Sequence, residues 1–327
     1  MRPLEPVSLD AIRAARERNA GGAIRTPLIP LALEEVPAEI YLKLESFQPI
    51  GSFKLRGAGH AMALADPAAL ARGVVTASVG NMALGVAWNA RRFGVPCHVV
   101  VPDTAPAHKI AAIEQLGAAV VRVPFVDWWR AIVEHHHPDL DGLFIHPVSN
   151  PAILAGNGVI GLEILEDLPD VDAIVAPFGG GGLSCGIACA VRALRPQTRV
   201  HACEVETAAP LTAAFAHGAP VEVPYTATFV EGVGGSSVLA EMWPLARQVL
   251  AGATVVTVRQ VADAVRLLAE RARLIIEGAA ATTLAAVLGG ASQGRRIEGR
   301  KIVCVLSGGN LGSARLATIL RGEIPGR

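Results

Sequence analysis

The chain has 327 residues, 51% of them hydrophobic, with 34 glycines and only 4% aromatics, which points to a compact protein of two α/β units. Twenty-nine basic residues balance twenty-nine acidic ones, so no large field of one sign exists to draw in nucleic acid or an anionic membrane. Residues 1–10 carry Pro, Glu and Asp where a secretory leader needs a basic start and an apolar centre. The most apolar stretch, 174–194, is broken by Pro177 and four glycines, so no membrane partner and a cytoplasmic address are expected.

In chain order, Ser8 opens a helix predicted at 9–19, and Gly21-Gly22 stop it. Short runs rich in β-branched residues predict strands at 40–44, 74–76, 97–101, 120–123 and 143–145. Helices are expected between them at 52–65, 81–93, 107–116 and 126–136. Further strands follow at 173–176, 199–203, 254–258 and 302–306, with helices at 183–194, 237–251, 261–275, 279–288 and after Asn310. Apolar strands alternating with helices imply parallel sheets covered on both faces. In such folds ligands gather beyond the carboxyl ends of strands. Four segments hold that position: Gly51-Ser52-Phe53-Lys54, Ser78-Val79-Gly80-Asn81, Gly179 to Leu183, and Ser307-Gly308-Gly309-Asn310.

The run Gly179-Gly180-Gly181-Gly182-Leu183 joins an apolar strand to a helix. Its backbone amides and the helix N-terminus suit a phosphate, although a tight strand-to-helix turn is the plain alternative. No Gly-x-Gly-x-x-Gly and no Walker lysine passes through it, which weakens the dinucleotide and nucleoside-triphosphate readings. Lys54 opens a helix after a Pro49-Ile50-Gly51 turn. In a partly apolar cleft its ammonium would be poorly solvated, its pKa lowered and its amine able to form an imine. The five cysteines (97, 185, 189, 203 and 304) are widely spaced and odd in number, which fits small buried hydrophobes better than disulfides or zinc. His135-His136-His137 precede Pro138 and are expected to form a solvated helix end.

With these residues in view, the chain resembles the fold-type II pyridoxal 5′-phosphate enzymes, which are tryptophan synthase β-like. Within them it resembles the branch of serine/threonine dehydratase (threonine ammonia-lyase) and serine racemase. The resemblance runs from Arg25-Thr26-Pro27-Leu28 to Ser307-Gly308-Gly309-Asn310. It is carried above all by the segment from Lys43-Leu44-Glu45-Ser46 through Gly51-Ser52-Phe53-Lys54-Leu55-Arg56-Gly57-Ala58, and by Pro102-Asp103-Thr104-Ala105-Pro106, His146-Pro147 and Ala155-Gly156. It implies two open, twisted, mostly parallel sheets flanked by helices. It also implies a large domain of 1–46 plus 147–327, a small mobile domain of 47–146, and a homodimer or higher homo-oligomer; with about one helix after the last strand, no C-terminal regulatory domain is expected.

The resemblance makes Lys54 the catalytic Schiff-base lysine. Phe53 would pack by the pyridine ring, Asn81 would meet the ring hydroxyl, Gly179, Gly180, Gly181, Gly182 and Leu183 would cradle the phosphate, and Ser307 would meet the ring nitrogen with Glu277 nearby. The substrate carboxylate would be held by Ser78, Val79, Gly80, Asn81 and the backbone at Met82. The implied activity is β-elimination of L-serine, L-threonine or a related β-hydroxy amino acid to a 2-oxo acid and ammonia. Racemase, β-replacement synthase and a non-catalytic binding protein are the alternatives. A neutral Ser307 suits loss of a β-leaving group better than transamination.

Three departures qualify this. Val79 stands where the racemases have a second serine, and valine cannot move a proton. Met82 and Leu84 replace the His and Gln common in dehydratases, which favours a larger or more apolar substrate. Glu204 matches one carboxylate of a divalent-cation site, but Pro210 occupies the aspartate position and Glu206 is only a substitute candidate, so a bound divalent cation is not expected.

Overall fold

The computed structural model describes residues 2–33, 36–289 and 297–326. Among the described residues ten strands form two sheets. The larger contains β1 (Leu28–Leu31), β2 (Glu39–Lys43), β7 (Ala173–Pro177), β8 (Arg199–Val205), β9 (Gly252–Val256) and β10 (Lys301–Val305), in the spatial order β1-β2-β10-β7-β8-β9. Only the β1–β2 pairing is antiparallel. The smaller sheet orders β5 (Ala119–Val123), β4 (Cys97–Pro102), β3 (Val74–Ala77) and β6 (Leu143–Phe144), all parallel.

Both sheets are buried on both faces, and the period-two pattern divides the core. Ile174, Ala176, Val303 and Val305 point to one side of the large sheet; Ala173, Val175, Ile302 and Cys304 point to the other. In the small sheet Val74, Val99 and Val101 face one cluster, while Val75, Ala77 and Val100 face a second beneath the helix Phe125–Glu134. This arrangement brings the carboxyl ends of β3, β7 and β10 to loops that carry the candidate site.

Several elements differ from expectation for identifiable reasons. β1 contains Pro30, and proline is tolerated because β1 is an edge strand. The expected helix at 237–251 starts only at Trp243, since Pro244 lacks an N–H and sits in the first turn. The expected helix at 261–275 starts earlier, at Val258, because Thr257 and Gln260 form a capping box. It ends in a π-helical turn, Leu268–Ala272, with Arg273 left-handed. The helices Pro67–Ala71 and Pro210–His217 were not expected.

The largest omission is the helix Pro151–Asp167, buried from Ile153 through Leu165. Its apolar residues and glycines are spread round the axis, with Asn157 and Glu163 buried among them, so it has no amphipathic signature. Gly156 shows what the glycines do: a Cβ there would lie 2.5 Å from the Arg56 carbonyl, so the backbone of the helix Lys54–Ala63 can approach only glycine.

Candidate active site

Lys54 is the first residue of its helix. Its Nζ donates to the Pro147 carbonyl at 3.1 Å and lies 5.3 Å from the centre of the Phe53 ring. Burial draws its pKa down to about 8, while the Glu277 carboxylate acts in the opposite sense. Phe53 is buried, and its N–H donates to the Ser307 carbonyl at 3.1 Å, so the Lys54 turn is stitched to the end of β10. An antiparallel bridge between Ser52 and Gly308 and the Gly309 N–H to Gly51 carbonyl bond of 2.9 Å extend that seam.

The segment after β3 approaches from the other side. Ser78 Oγ accepts from the Gly80 N–H at 3.3 Å, and Gly80 precedes the helix Asn81–Phe93. Asn81 donates its side-chain amide to both oxygens of Glu277, and its carbonyl oxygen accepts from Asn310 at 2.8 Å. Val79 packs against the core of the smaller sheet, and the Met82 side chain is buried in that core. Burial pushes the Glu277 carboxyl up to about 7; Asn81 pulls it down and Glu231 raises it.

The glycine segment follows β7. Gly181 takes a left-handed φ of 94°, which an L side chain rarely adopts. A Cβ on Gly179 would lie 2.4 Å from the Gly232 carbonyl oxygen, and one on Gly180 would lie 2.7 Å from two Val148 methyls. Leu183 anchors the following helix in the core. The first amides of that helix have no intrahelical acceptors and carry the positive end of its dipole.

His146, Asn157 and Asn310 have contacts at this site that sequence reading did not assign. Asn157 donates to the Gly182 carbonyl at 3.1 Å. His146 Nδ1 accepts from the Val148 and Ser149 N–H groups at 3.2 and 2.7 Å, which places the proton of the neutral ring on Nε2. Burial, His135 and Lys54 together hold its pKa down to about 3. The His run is not the solvated end expected. His135 caps its helix in a left-handed conformation and stacks on His146 with 4.1 Å between ring centres, and His137 is buried; only His136 is exposed. The signal was His146-Pro147 at the end of the smaller sheet, but no spacing rule links it to His135.

Glu204 has a local task. Its oxygens accept from the Leu211 and Thr212 N–H groups, each at 2.8 Å, and from Thr212 Oγ1 at 2.7 Å, capping the helix Pro210–His217. Glu206 accepts from the Val258 N–H at 2.9 Å. Among the described residues no group of three or more His, Cys, Asp or Glu side chains is arranged to hold a metal ion. Cys185 and Cys189 are buried, as expected of small hydrophobes.

Comparison with known proteins decides the family. The family model for pyridoxal-phosphate dependent enzymes matches residues 20–308. This chain belongs to the pyridoxal-phosphate dependent enzymes. It is 38% identical over 291 residues to L-threonine ammonia-lyase of Geobacter sulfurreducens, covering 88% of this chain and 71% of that one. It is likewise 38% identical to human serine racemase, covering 83% of this chain and 81% of the relative. The structure of maize serine racemase superposes with a TM-score of 0.88 at 29% identity, covering 97% of this chain and 98% of that chain. The fold is therefore that of the fold-type II pyridoxal-phosphate enzymes.

The residues present fit the family's cofactor. Gly179 and Gly180 let the segment pack where a Cβ would meet the Gly232 carbonyl oxygen or the Val148 side chain, and the helix that follows offers its first amides to an anion. A lysine with a lowered pKa next to a buried aromatic ring suits a covalently held aldehyde. Among the described residues no helix is long and apolar enough to cross a membrane.

Proposed function

We propose that this protein is an ammonia-lyase that eliminates the β-hydroxyl of L-serine, L-threonine or a related β-hydroxy amino acid, giving a 2-oxo acid and ammonia. The observation that carries this reading is Lys54: a buried amine with a pKa of about 8, bonded to the Pro147 carbonyl and carried on a turn tied to Ser307 through the Phe53 N–H. The names of the relatives, threonine ammonia-lyase foremost, support the same reaction class.

In this reading Lys54 holds pyridoxal phosphate, Phe53 packs beside it, Ser307 and Glu277 lie toward its ring, and Gly179 to Leu183 receive its phosphate. Asn81 serves the ring side through its tie to Glu277. Bound pyridoxal phosphate supplies a sink for the electron pair left when a Cα proton departs. Lys54 Nζ, freed once the substrate amine has taken its place on the cofactor, would take that proton. Ser78, Gly80, Asn81 and the Met82 backbone orient the substrate carboxylate. The β-hydroxyl leaves with a proton as water. The released enamine regains a water on hydrolysis, so serine yields pyruvate and ammonia with atoms balanced.

Racemisation is the second reading, because a serine racemase is among the relatives. Val79 speaks against it, since a hydrocarbon between Ser78 and Gly80 cannot return a proton to the opposite face. All four strands of the smaller sheet fall within 74–144, while the larger sheet draws on both flanks, which supports a small domain of 47–146 that closes over the cleft. The substrate is a free amino acid, and the assembly a homodimer or higher oligomer.

The test is a panel of L- and D-β-hydroxy amino acids assayed for 2-oxo acid and ammonia, with and without divalent cations. Stoichiometric release of both products without a thiol acceptor is expected. Product formation only when a thiol is supplied would replace the lyase reading with a synthase.

A further inference from the structure

Behind Lys54, on the far side of its helix, four charged side chains are buried together. Arg56 lies two positions after Lys54, an offset of about 200° around the helix axis, so the two side chains leave opposite faces. The Arg56 fork reaches Glu45 with Nε at 2.8 Å and Nη2 at 2.9 Å, and Glu163 with Nη1 at 2.8 Å and Nη2 at 2.9 Å. Lys43 Nζ donates to Glu163 at 2.6 Å and to the Thr26 carbonyl at 2.7 Å. Thr26 Oγ1 and Gln48 Nε2 complete the shell of Glu45 at 2.6 and 3.2 Å. The side chains of Lys43, Glu45, Arg56 and Glu163 are 0%, 0%, 3% and 4% exposed.

Stability explains this set poorly. Moving four charges out of water costs more than well-packed apolar residues would, and such replacements are often neutral or stabilising. What a bidentate guanidinium supplies is direction, because its rigid fork fixes both distance and angle to each carboxylate. The carboxylates come from different parts of the fold: Glu45 from the turn after β2 and Glu163 from the helix Pro151–Asp167. That helix begins just after the Pro147 carbonyl that accepts from Lys54. The backbone contact of Gly156 with Arg56 sets how near the two helices lie, and the fork sets rotation about the axis.

We propose that Arg56, clamped between Glu45 and Glu163, is a positioning residue that fixes the rotation of its helix and thereby aims Lys54 at the cofactor. This rests on the reading of Lys54 as the cofactor lysine. The holoenzyme variant Arg56→Lys keeps the charge and loses the fork. Its kcat is expected to fall roughly ten- to a hundredfold with KM changed less than about threefold, the cost of a small misalignment at the reacting atoms. The visible band of the lysine-held cofactor is expected to titrate at a displaced pH. An unfolding midpoint that drops while kcat and the titration stay at the parent values would overturn the proposal. If Arg56→Lys does not fold, the charge-balanced pair Lys43→Met with Glu163→Gln is read by the same criteria. Lys54→Ala separates the two layers. If it keeps the band, the lysine assignment itself fails; if it loses the band while Arg56→Lys leaves the titration untouched, only the positioning role fails.

Discussion

Asn81 and Glu277, 196 residues apart in the chain, meet side chain to side chain, with the Asn81 amide nitrogen 2.9 and 3.1 Å from the two carboxylate oxygens. The contact joins the loop after β3 to the segment before the helix Gly278–Gly289, and so ties the smaller sheet to the larger at the site. It also sets a charge. Burial pushes Glu277 up to about 7, Asn81 counters that, and the resulting partial anion favours the ammonium form of Lys54.

Glu277→Gln should therefore lower the Lys54 pKa below its value of about 8, because the carboxylate that favours the ammonium is removed. Cofactor capture by the cofactor-free protein requires the neutral amine. Its rate against pH should be half-maximal near 8 in the parent and at lower pH in the variant. A midpoint that stays in place or rises contradicts the coupling.

Lys54 also makes stability depend on pH. Its folded pKa of about 8 lies below the ordinary 10.5, so below 8 the ammonium is charged in both states and the folded protein carries its desolvation cost. Above 10.5 it is neutral in both states and the cost vanishes. Lys54→Met should stabilise the cofactor-free protein by roughly 1–3 kcal/mol at neutral pH. The gain should shrink as pH rises from 8 to 10.5. Denaturant unfolding across that window reads it, and a gain that grows with pH would reverse the sign of the argument.

Gly179→Ala places a methyl 2.4 Å from the Gly232 carbonyl oxygen, so one of two backbone segments must move. The expected result is a loss of roughly 1–3 kcal/mol, as for other overpacked sites, with cofactor affinity weakened at least tenfold. Gly312→Ala, where the added carbon meets nothing within 4 Å, is the control. Thermal unfolding with and without pyridoxal phosphate separates the two effects. Equal behaviour of the two variants would remove the case for a close-fitting cradle.

Val79→Ser puts a hydroxyl where the sequence departs from the racemases. Chiral analysis of unreacted L-serine should show no D-serine from the parent and measurable D-serine from the variant, with 2-oxo acid still formed. Parent enzyme that racemises as fast as it eliminates would show that another group carries the second proton.

The alternation of apolar strands and helices, the glycine segment and Lys54 were legible because each depends on neighbours close in sequence. The run 173–176 reads as a buried strand, and Gly179 to Gly182 read as a close turn onto a helix. Elements set by distant partners were not legible. The helix Pro151–Asp167 has proline, three glycines and no polar face, so its helicity comes from burial between the helices Lys54–Ala63 and Gly182–Leu194 rather than from propensity. His135 was misjudged for the same reason, since its environment is the rings of Phe144 and His146, at the end of β6, rather than Pro138 close by in sequence.

The sequence by itself determined the fold class and the family, and singled out Lys54, the glycine segment and the Asn81 and Ser307 loops as candidates, because those signals are local patterns or ordered motifs. Only the tertiary structure decided the state of those groups. It buried Lys54 against Phe53 and the Pro147 carbonyl, set Glu277 beneath Asn81, and clamped Arg56 between carboxylates more than a hundred residues apart. A pKa or the aim of a side chain depends on desolvation and on charges within a few ångströms. Those neighbours come from loops that the chain brings together only by folding.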